Sequence, residues 1–264
     1  MAVQEPFNYT GSMSTKSLDD RVAVVTGASR GLGRAMALEL GAAGAKLALV
    51  GRDQAKLDET AAEAAKAGAE AAVFLADVTS ETQVRALEQG VRQRYGRVDI
   101  LINNAGMNIR KPLVEYTLDE WNTVLDTNLT SVFLVCRSFI PMMQGRGYGR
   151  ILNLTSIMSH VSLPGRSAYS ASKAALLGVT RALAQELAAD GITVVAISPG
   201  PFATEMNQGL INNPELNKQF MTNVPLGRWG DAEEIGKLAL YLCSEGAGFI
   251  TGTDVLIDGG WTSR

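Results

Sequence analysis

The chain has 264 residues, 46% of them hydrophobic, with 24 Lys and Arg against 27 Asp and Glu and a formal net charge of −3. That is enough apolar material for a sizeable core. The weak acidity and scattered basic residues argue against nucleic acid as the main partner. No apolar run is as long as a membrane span, and Ser131 to Ile140 is interrupted by Arg137. Cys136 and Cys243 sit in apolar helical patterns. They read as buried thiols rather than a disulfide framework, which fits a cytoplasmic location.

Residues 1–17 are polar, contain Pro6 and show no periodicity. They read as a flexible arm without secretory-signal character, whose Phe7 and Tyr9 are available to a neighbouring subunit. Residues 18–264 read as one domain, because strand and helix patterns alternate with no linker between them. Arg21 to Val25 is a short β-branched run, expected as a buried parallel strand. A glycine-rich turn and a helix over Arg34 to Ala43 follow. Strands are expected at 46–50, 71–75, 98–102, 150–154, 193–197 and 254–257. Helices are expected at 53–67, 81–95, 118–143, 168–189 and 232–244. This alternation predicts an α/β, Rossmann-type fold, a doubly wound parallel sheet with helices on both faces. Ligands of such sheets bind at the carboxyl ends of the strands.

Two motifs fall at such ends. Thr26-Gly27-Ala28-Ser29-Arg30-Gly31-Leu32-Gly33 joins the first strand to the first helix. That arrangement aims backbone N–H groups and a helix N-terminus at a pyrophosphate. Gly27 would permit the tight turn, and Gly31 and Gly33 a close approach. The second motif is Tyr169-Ser170-Ala171-Ser172-Lys173, which places a phenol and an ammonium one helical turn apart. A free tyrosine titrates near pH ~10, and a neighbouring ammonium lowers that value. The pair can therefore act as an acid/base on a carbonyl or alcohol.

TGASRGLG at 26–33, Asn103-Asn104-Ala105-Gly106, Ser156, the YxxxK at 169–173 and Pro199-Gly200 with Thr204 occur together and in this order. In that combination the chain resembles the short-chain dehydrogenase/reductases from about Leu18 to its end. Pro199 to Met206, Gly227-Arg228-Trp229-Gly230 and the ending Asp258-Gly259-Gly260-Trp261 resemble the gluconate 5-dehydrogenase-like branch. The resemblance implies a catalytic group of Asn128, Ser156, Tyr169 and Lys173. Ser156 would bond the substrate oxygen and Tyr169 would exchange its proton. Lys173 would lower the tyrosine pKa and hold the nicotinamide ribose, and Asn128 would keep a relay water. It also implies a cofactor set of Gly27, Ser29, Arg30, Gly31, Leu32, Gly33, Arg52, Asp77, Val78, Asn104, Ala105, Gly106, Tyr169, Lys173, Pro199, Gly200, Phe202 and Thr204. Asp77 and Val78 are placed at the adenine. Gly51 stands where NAD-preferring relatives carry an acid, and Arg52 and Arg30 supply guanidinium groups, so NADP(H) is expected over NAD(H). No metal is required, and no cluster of ligand-type residues has metal-binding spacing.

His160, the only histidine, lies four residues after Ser156. It either rims the pocket or is a hydrogen-bonded loop residue, the latter being commoner. The expected activity is hydride exchange between nicotinamide and a carbonyl or secondary alcohol of a small molecule, a sugar acid or polyol. A 3-oxoacyl-thioester reductase is the enzymatic alternative. A catalytically silent nucleotide-binding protein is the non-enzymatic one. The pocket segment Phe202 to Trp229 mixes Asn207, Gln208, Asn212 and Asn213 with Phe202, Met206, Leu210 and Phe220, and so separates none of these readings. Relatives of such a family are commonly tetramers. The long apolar helices and Trp261 near the chain end point to a homotetramer, with a dimer as fallback.

Overall fold

The computed structural model describes residues 17–263. The arm expected over 1–17 lies, but for Ser17, outside the described residues, and so do Phe7 and Tyr9.

Seven parallel strands form one sheet in the order β3-β2-β1-β4-β5-β6-β7. They are β1 (Val22–Thr26), β2 (Lys46–Gly51), β3 (Ala71–Leu75), β4 (Ile100–Asn103), β5 (Gly149–Leu154), β6 (Ile192–Pro199) and β7 (Asp254–Ile257). The central strands β1, β4, β5 and β6 are buried along their whole length, which is why they are near-continuous apolar runs in the sequence. The chain order reverses between β1 and β4, so the crevice outside their carboxyl ends is the switch point.

On one face of the sheet, Met36, Ala37 and Leu40 of α1 (Gly31–Ala42) pack with Ile235, Ala239 and Leu242 of α9 (Ala232–Cys243). Leu57 and Ala64 of α2 (Gln54–Lys66) join that core. On the other face lie α3 (Glu81–Tyr95), α5 (Ser131–Met143) and α6 (Ser167–Leu187). Helix ends follow local chemistry. Asp53 and Ser80 accept backbone N–H bonds at the starts of α2 and α3, and Gly96 ends α3 with φ +69°.

Three regions depart from the sequence expectation. The helix expected over 118–143 is α4 (Leu118–Leu125) and α5 joined by a π-helical turn, Asp126–Thr130. The wider turn carries Asn128, which is fully buried. Two short helices, α7 (Gln208–Ile211) and α8 (Pro214–Met221), occupy the pocket segment, where the sequence reading placed no element. Trp261 was expected to anchor on a neighbour. It is instead buried against its own chain, with its ring centroid 4.8 Å from that of Phe220, and Phe220 stacks on Trp229 at 5.5 Å.

Candidate active site

The glycine turn is built so that backbone can approach backbone. Gly27 and Gly31 have φ of +65° and +55°, which side chains other than glycine rarely adopt. A Cβ on Gly33 would stand 2.4 Å from the Gly27 oxygen and 2.3 Å from Asn104 Nδ2. That amide donates to the carbonyls of Thr26 (2.9 Å) and Gly27 (3.1 Å), while Thr26 Oγ1 accepts from the N–H groups of Asn104 and Ala105. Asn104 thus ties the exit of β4 to the glycine turn.

A cleft of ≈ 1040 Å³ runs along the carboxyl ends of the strands. Of the sequence-predicted residues, Gly27, Ser29, Arg30, Gly31, Leu32, Arg52, Asp77, Val78, Asn104, Ala105, Gly106, Ser156, Tyr169, Lys173, Pro199, Gly200, Phe202 and Thr204 line it. Gly33 and Asn128 do not. Gly33 sits behind the turn. Asn128 packs behind the cleft, accepting from Met107 N–H (2.8 Å) and donating to Met107 O (2.9 Å) and Ser172 Oγ (3.0 Å). His160 is not in the lining either. Its Nε2 lies 2.5 Å from Asp254 Oδ2, which also accepts from Ser198 Oγ at 2.8 Å, so it is a hydrogen-bonded loop residue.

At the chemical end, Ser156 Oγ accepts from Met158 N–H at 3.1 Å. Tyr169, half-buried, has its pKa pushed above the usual phenol value by burial. A hydrogen bond with Ser156 and the charges of Arg166 and Arg110 pull it back in part. Lys173 was expected to supply that pull. Its Nζ is 5.9 Å from the Tyr169 ring centroid and donates to Leu154 O at 2.5 Å, and burial lowers its own pKa to about 8. Arg166 and Arg110 add their charges to that of Lys173 at this end of the cleft. A Cβ on Gly106 would stand 3.2 Å from Asn128 Oδ1 and 3.4 Å from Lys173 Nζ, so a side chain there would crowd that corner.

The sequence reading missed five charged residues of the lining: Asp53, Lys56, Arg110, Arg166 and Glu205. Arg166 lies three residues before Tyr169 and Arg110 four after Gly106, and that proximity to the motifs was the available signal. Arg166 has its pKa lowered by burial and by the charge of Arg110. Neither arginine has a carboxylate partner among the described residues. At the far end, Arg52 Nη1 lies 3.5 Å from Asp77 Oδ2. Burial pushes the Asp77 carboxyl up, but hydrogen bonds from Thr79 and the Arg52 guanidinium outweigh it and hold the group below its usual range.

The cleft fits a dinucleotide: a glycine cradle that any Cβ would fill at one point, cations at one end and a Ser/Tyr/Lys group at the other. Among the described residues, no group of His, Cys, Asp and Glu could hold a metal ion, and no helix is long and apolar enough to cross a membrane.

Comparison with known proteins agrees with this geometry. The family model described as enoyl-(acyl carrier protein) reductase, one of the short-chain dehydrogenase/reductase models, matches residues 27–262. A 3-oxoacyl-(acyl-carrier-protein) reductase of Pseudomonas aeruginosa is 41% identical over 246 residues, covering 92% of this chain and 98% of that protein. A gluconate 5-dehydrogenase of Gluconobacter oxydans is 35% identical over 246 residues, covering 93% and 96%. The crystal structure of a gluconate 5-dehydrogenase from Burkholderia cenocepacia J2315 in complex with NADP and tartrate superposes with a TM-score of 0.89 at 33% identity, covering 95% and 98%.

Proposed function

The chain belongs to the short-chain dehydrogenase/reductase family, oxidoreductases of carbonyl and CH–OH groups, and from that premise we propose an NADP-dependent enzyme whose small substrate carries a carboxylate, as a sugar acid does. The observation that carries the carboxylate is the pair Arg110 and Arg166. Both line the cleft beside Tyr169 and have no carboxylate partner among the described residues. Two guanidinium groups that repel one another are stabilised by an anion between them, and an Arg–carboxylate contact is directional.

The glycine turn, Asp77, Val78 and Lys173 would hold the dinucleotide, with Arg30 and Arg52 toward its adenosine 2′-phosphate. When bound, the nicotinamide supplies hydride in reduction and accepts it in oxidation. Ser156 hydrogen-bonds the reacting oxygen. Tyr169 gives that oxygen a proton in reduction and takes it back in oxidation. Because burial keeps the phenol protonated at neutral pH, reduction has its donor ready, and oxidation gains from rising pH. Asn128 acts one step back, fixing the Met107 backbone and Ser172 on the catalytic helix. A cytoplasmic location is part of this reading, since both thiols are free and buried.

A 3-oxoacyl-thioester reductase remains the second reading, supported by the 41% identity to such an enzyme. Initial rates with NADPH and NADH decide, measured on keto-sugar acids, matched neutral ketones and an acetoacetyl thioester. The proposal expects the highest kcat/KM with NADPH and a keto acid. A preference for the thioester, or for neutral ketones over their carboxylates, overturns it.

We also propose a homotetramer. Leu113, Val114, Leu118 and Phe133 are exposed on and just before the α4–α5 helix, and Tyr241, Phe249 and Leu256 on α9, the following turn and edge strand β7. Dihedral assembly would cover exposed apolar side chains of this kind. Light scattering at micromolar protein should give four chain masses, and a clean monomer refutes it.

A further inference from the structure

The far end of the cleft contains three cations, Arg30, Arg52 and Lys56, among three carboxylates, Asp53, Asp77 and Glu205. Asp53 and Asp77 have local duties. Asp53 caps α2 by accepting from Lys56 N–H, and Asp77 accepts from Thr79 N–H and Oγ1 while facing Arg52. Glu205 has no local duty. It reaches across the cleft from the turn that follows Thr204. Its Oε2 accepts from Arg30 Nη1 at 2.7 Å and lies 3.7 Å from Lys56 Nζ. The Arg30 hydrogen bond and the charges of Lys56 and Arg30 hold its carboxyl below the usual range, so it is ionised at neutral pH. One carboxylate oxygen thus shares two cations on two different elements, the geometry those cations would offer a phosphate oxygen.

We propose that Glu205 is a coenzyme-discriminating residue, an internal competitor for Arg30 and Lys56 that a 2′-phosphate must displace. This rests on the reading that Arg30 and Arg52 take the 2′-phosphate of NADP, to which the proposal adds Lys56. With Glu205 in place the three cations face three carboxylates, so a dianionic phosphate enters a site with no charge surplus. Removing one carboxylate leaves a surplus cation and frees both of its partners. The partners are exposed, so the effect is screened and moderate. The sugar and base of the nucleotide are indifferent to it.

The test is calorimetric titration of the full chain with adenosine 2′,5′-bisphosphate and with adenosine 5′-monophosphate. Glu205→Gln keeps size and hydrogen-bonding capacity, and the exposed position makes misfolding a minor concern. It should tighten the bisphosphate roughly three- to tenfold and the monophosphate less than twofold. Arg30→Met and Lys56→Met should each reduce the discrimination between the two nucleotides. If the bisphosphate gains nothing, or both nucleotides gain equally, while Arg30→Met does reduce discrimination, the competitor role of Glu205 is overturned and the 2′-phosphate reading stands. If Arg30→Met and Lys56→Met leave discrimination intact, the 2′-phosphate reading itself fails, and the proposal with it.

Discussion

The arginines at the two ends of the cleft are held in opposite electrostatic states. At the far end Arg30 and Arg52 each face a carboxylate, Glu205 at 2.7 Å and Asp77 at 3.5 Å. Beside Tyr169, Arg110 and Arg166 face one another, and part of the positive charge is desolvated. The first end is a set of exposed, exchangeable pairs that solvent and salt screen. The second keeps an unbalanced positive charge next to the reacting group. On the proposed reading, charge therefore selects weakly at the coenzyme end and strongly at the substrate end.

The largest expected effect tests whether the charged end is the chemical end at all. Tyr169→Phe keeps the ring and removes the proton, so kcat should fall by roughly 10²–10⁴-fold with NADPH affinity unchanged. Retention of most of the activity would remove Tyr169 as the acid/base.

Arg110→Gln and Arg166→Gln sharpen the contrast. Each should lower kcat/KM for a keto acid by roughly 1.5–3 kcal/mol, the range for a hydrogen bond to a charged group, and hardly change it for a matched neutral ketone. Both cations pull the Tyr169 pKa down, so each substitution should also move the alkaline rise of the oxidation rate to higher pH. Equal losses on acid and ketone would show that the arginines support structure rather than charge recognition.

Lys173 is a third cation at the same end, buried and with a pKa lowered to about 8. A lysine whose folded pKa lies below its unfolded value costs stability. That cost is full below about pH 8 and fades as the pH rises from there toward the unfolded pKa. Lys173→Met should therefore raise Tm near pH 7 and do so less near pH 10, while destroying turnover. The gain at pH 7 should be about 1–2 kcal/mol, discounted from the linkage value for the lost bond to Leu154 O. A Tm gain independent of pH would contradict this.

The smallest effect lies at the paired end. Arg52 is 77% exposed and already faces Asp77. Arg52→Asp should shift the NADP/NAD ratio of kcat/KM roughly fivefold toward NAD, about 1 kcal/mol. A change as large as that of Arg166→Gln on a keto acid would erase the distinction between the ends.

Much of this arrangement was legible in one dimension because its signals are local. A buried parallel strand needs an apolar run, and a helix needs its 3.6-residue stripe. The turn between β1 and α1 needs glycine where φ is positive, at Gly27 and Gly31. Tyr169 and Lys173 share a helix, so their spacing put both on one face, and both line the cleft. The π-helical turn was not legible, because the poor helix formers Asp126, Thr127, Asn128 and Thr130 lie inside a longer helical pattern and nothing in them tells a widened turn from an ordinary one. Widening it lets Asn128 bond Met107 and Ser172, partners 21 and 44 residues away. Helices α7 and α8 were missed for a similar reason. Asn213 caps α8 and Asn217 accepts from Trp229 Nε1, two polar residues that read simply as loop.

The sequence by itself determined the strand and helix alternation and the glycine turn, since each depends on residues within a few positions of one another, and it carried the family through short local motifs that recur in order along the chain. The tertiary structure alone decided the charge state of the cleft. Arg30 and Glu205 are 175 residues apart, and the cations acting on Tyr169 include Arg110, from the loop after β4. Whether a charge is paired depends on which strand ends the sheet brings side by side, and on how much water it leaves around them. Neither is encoded at any single stretch of the chain.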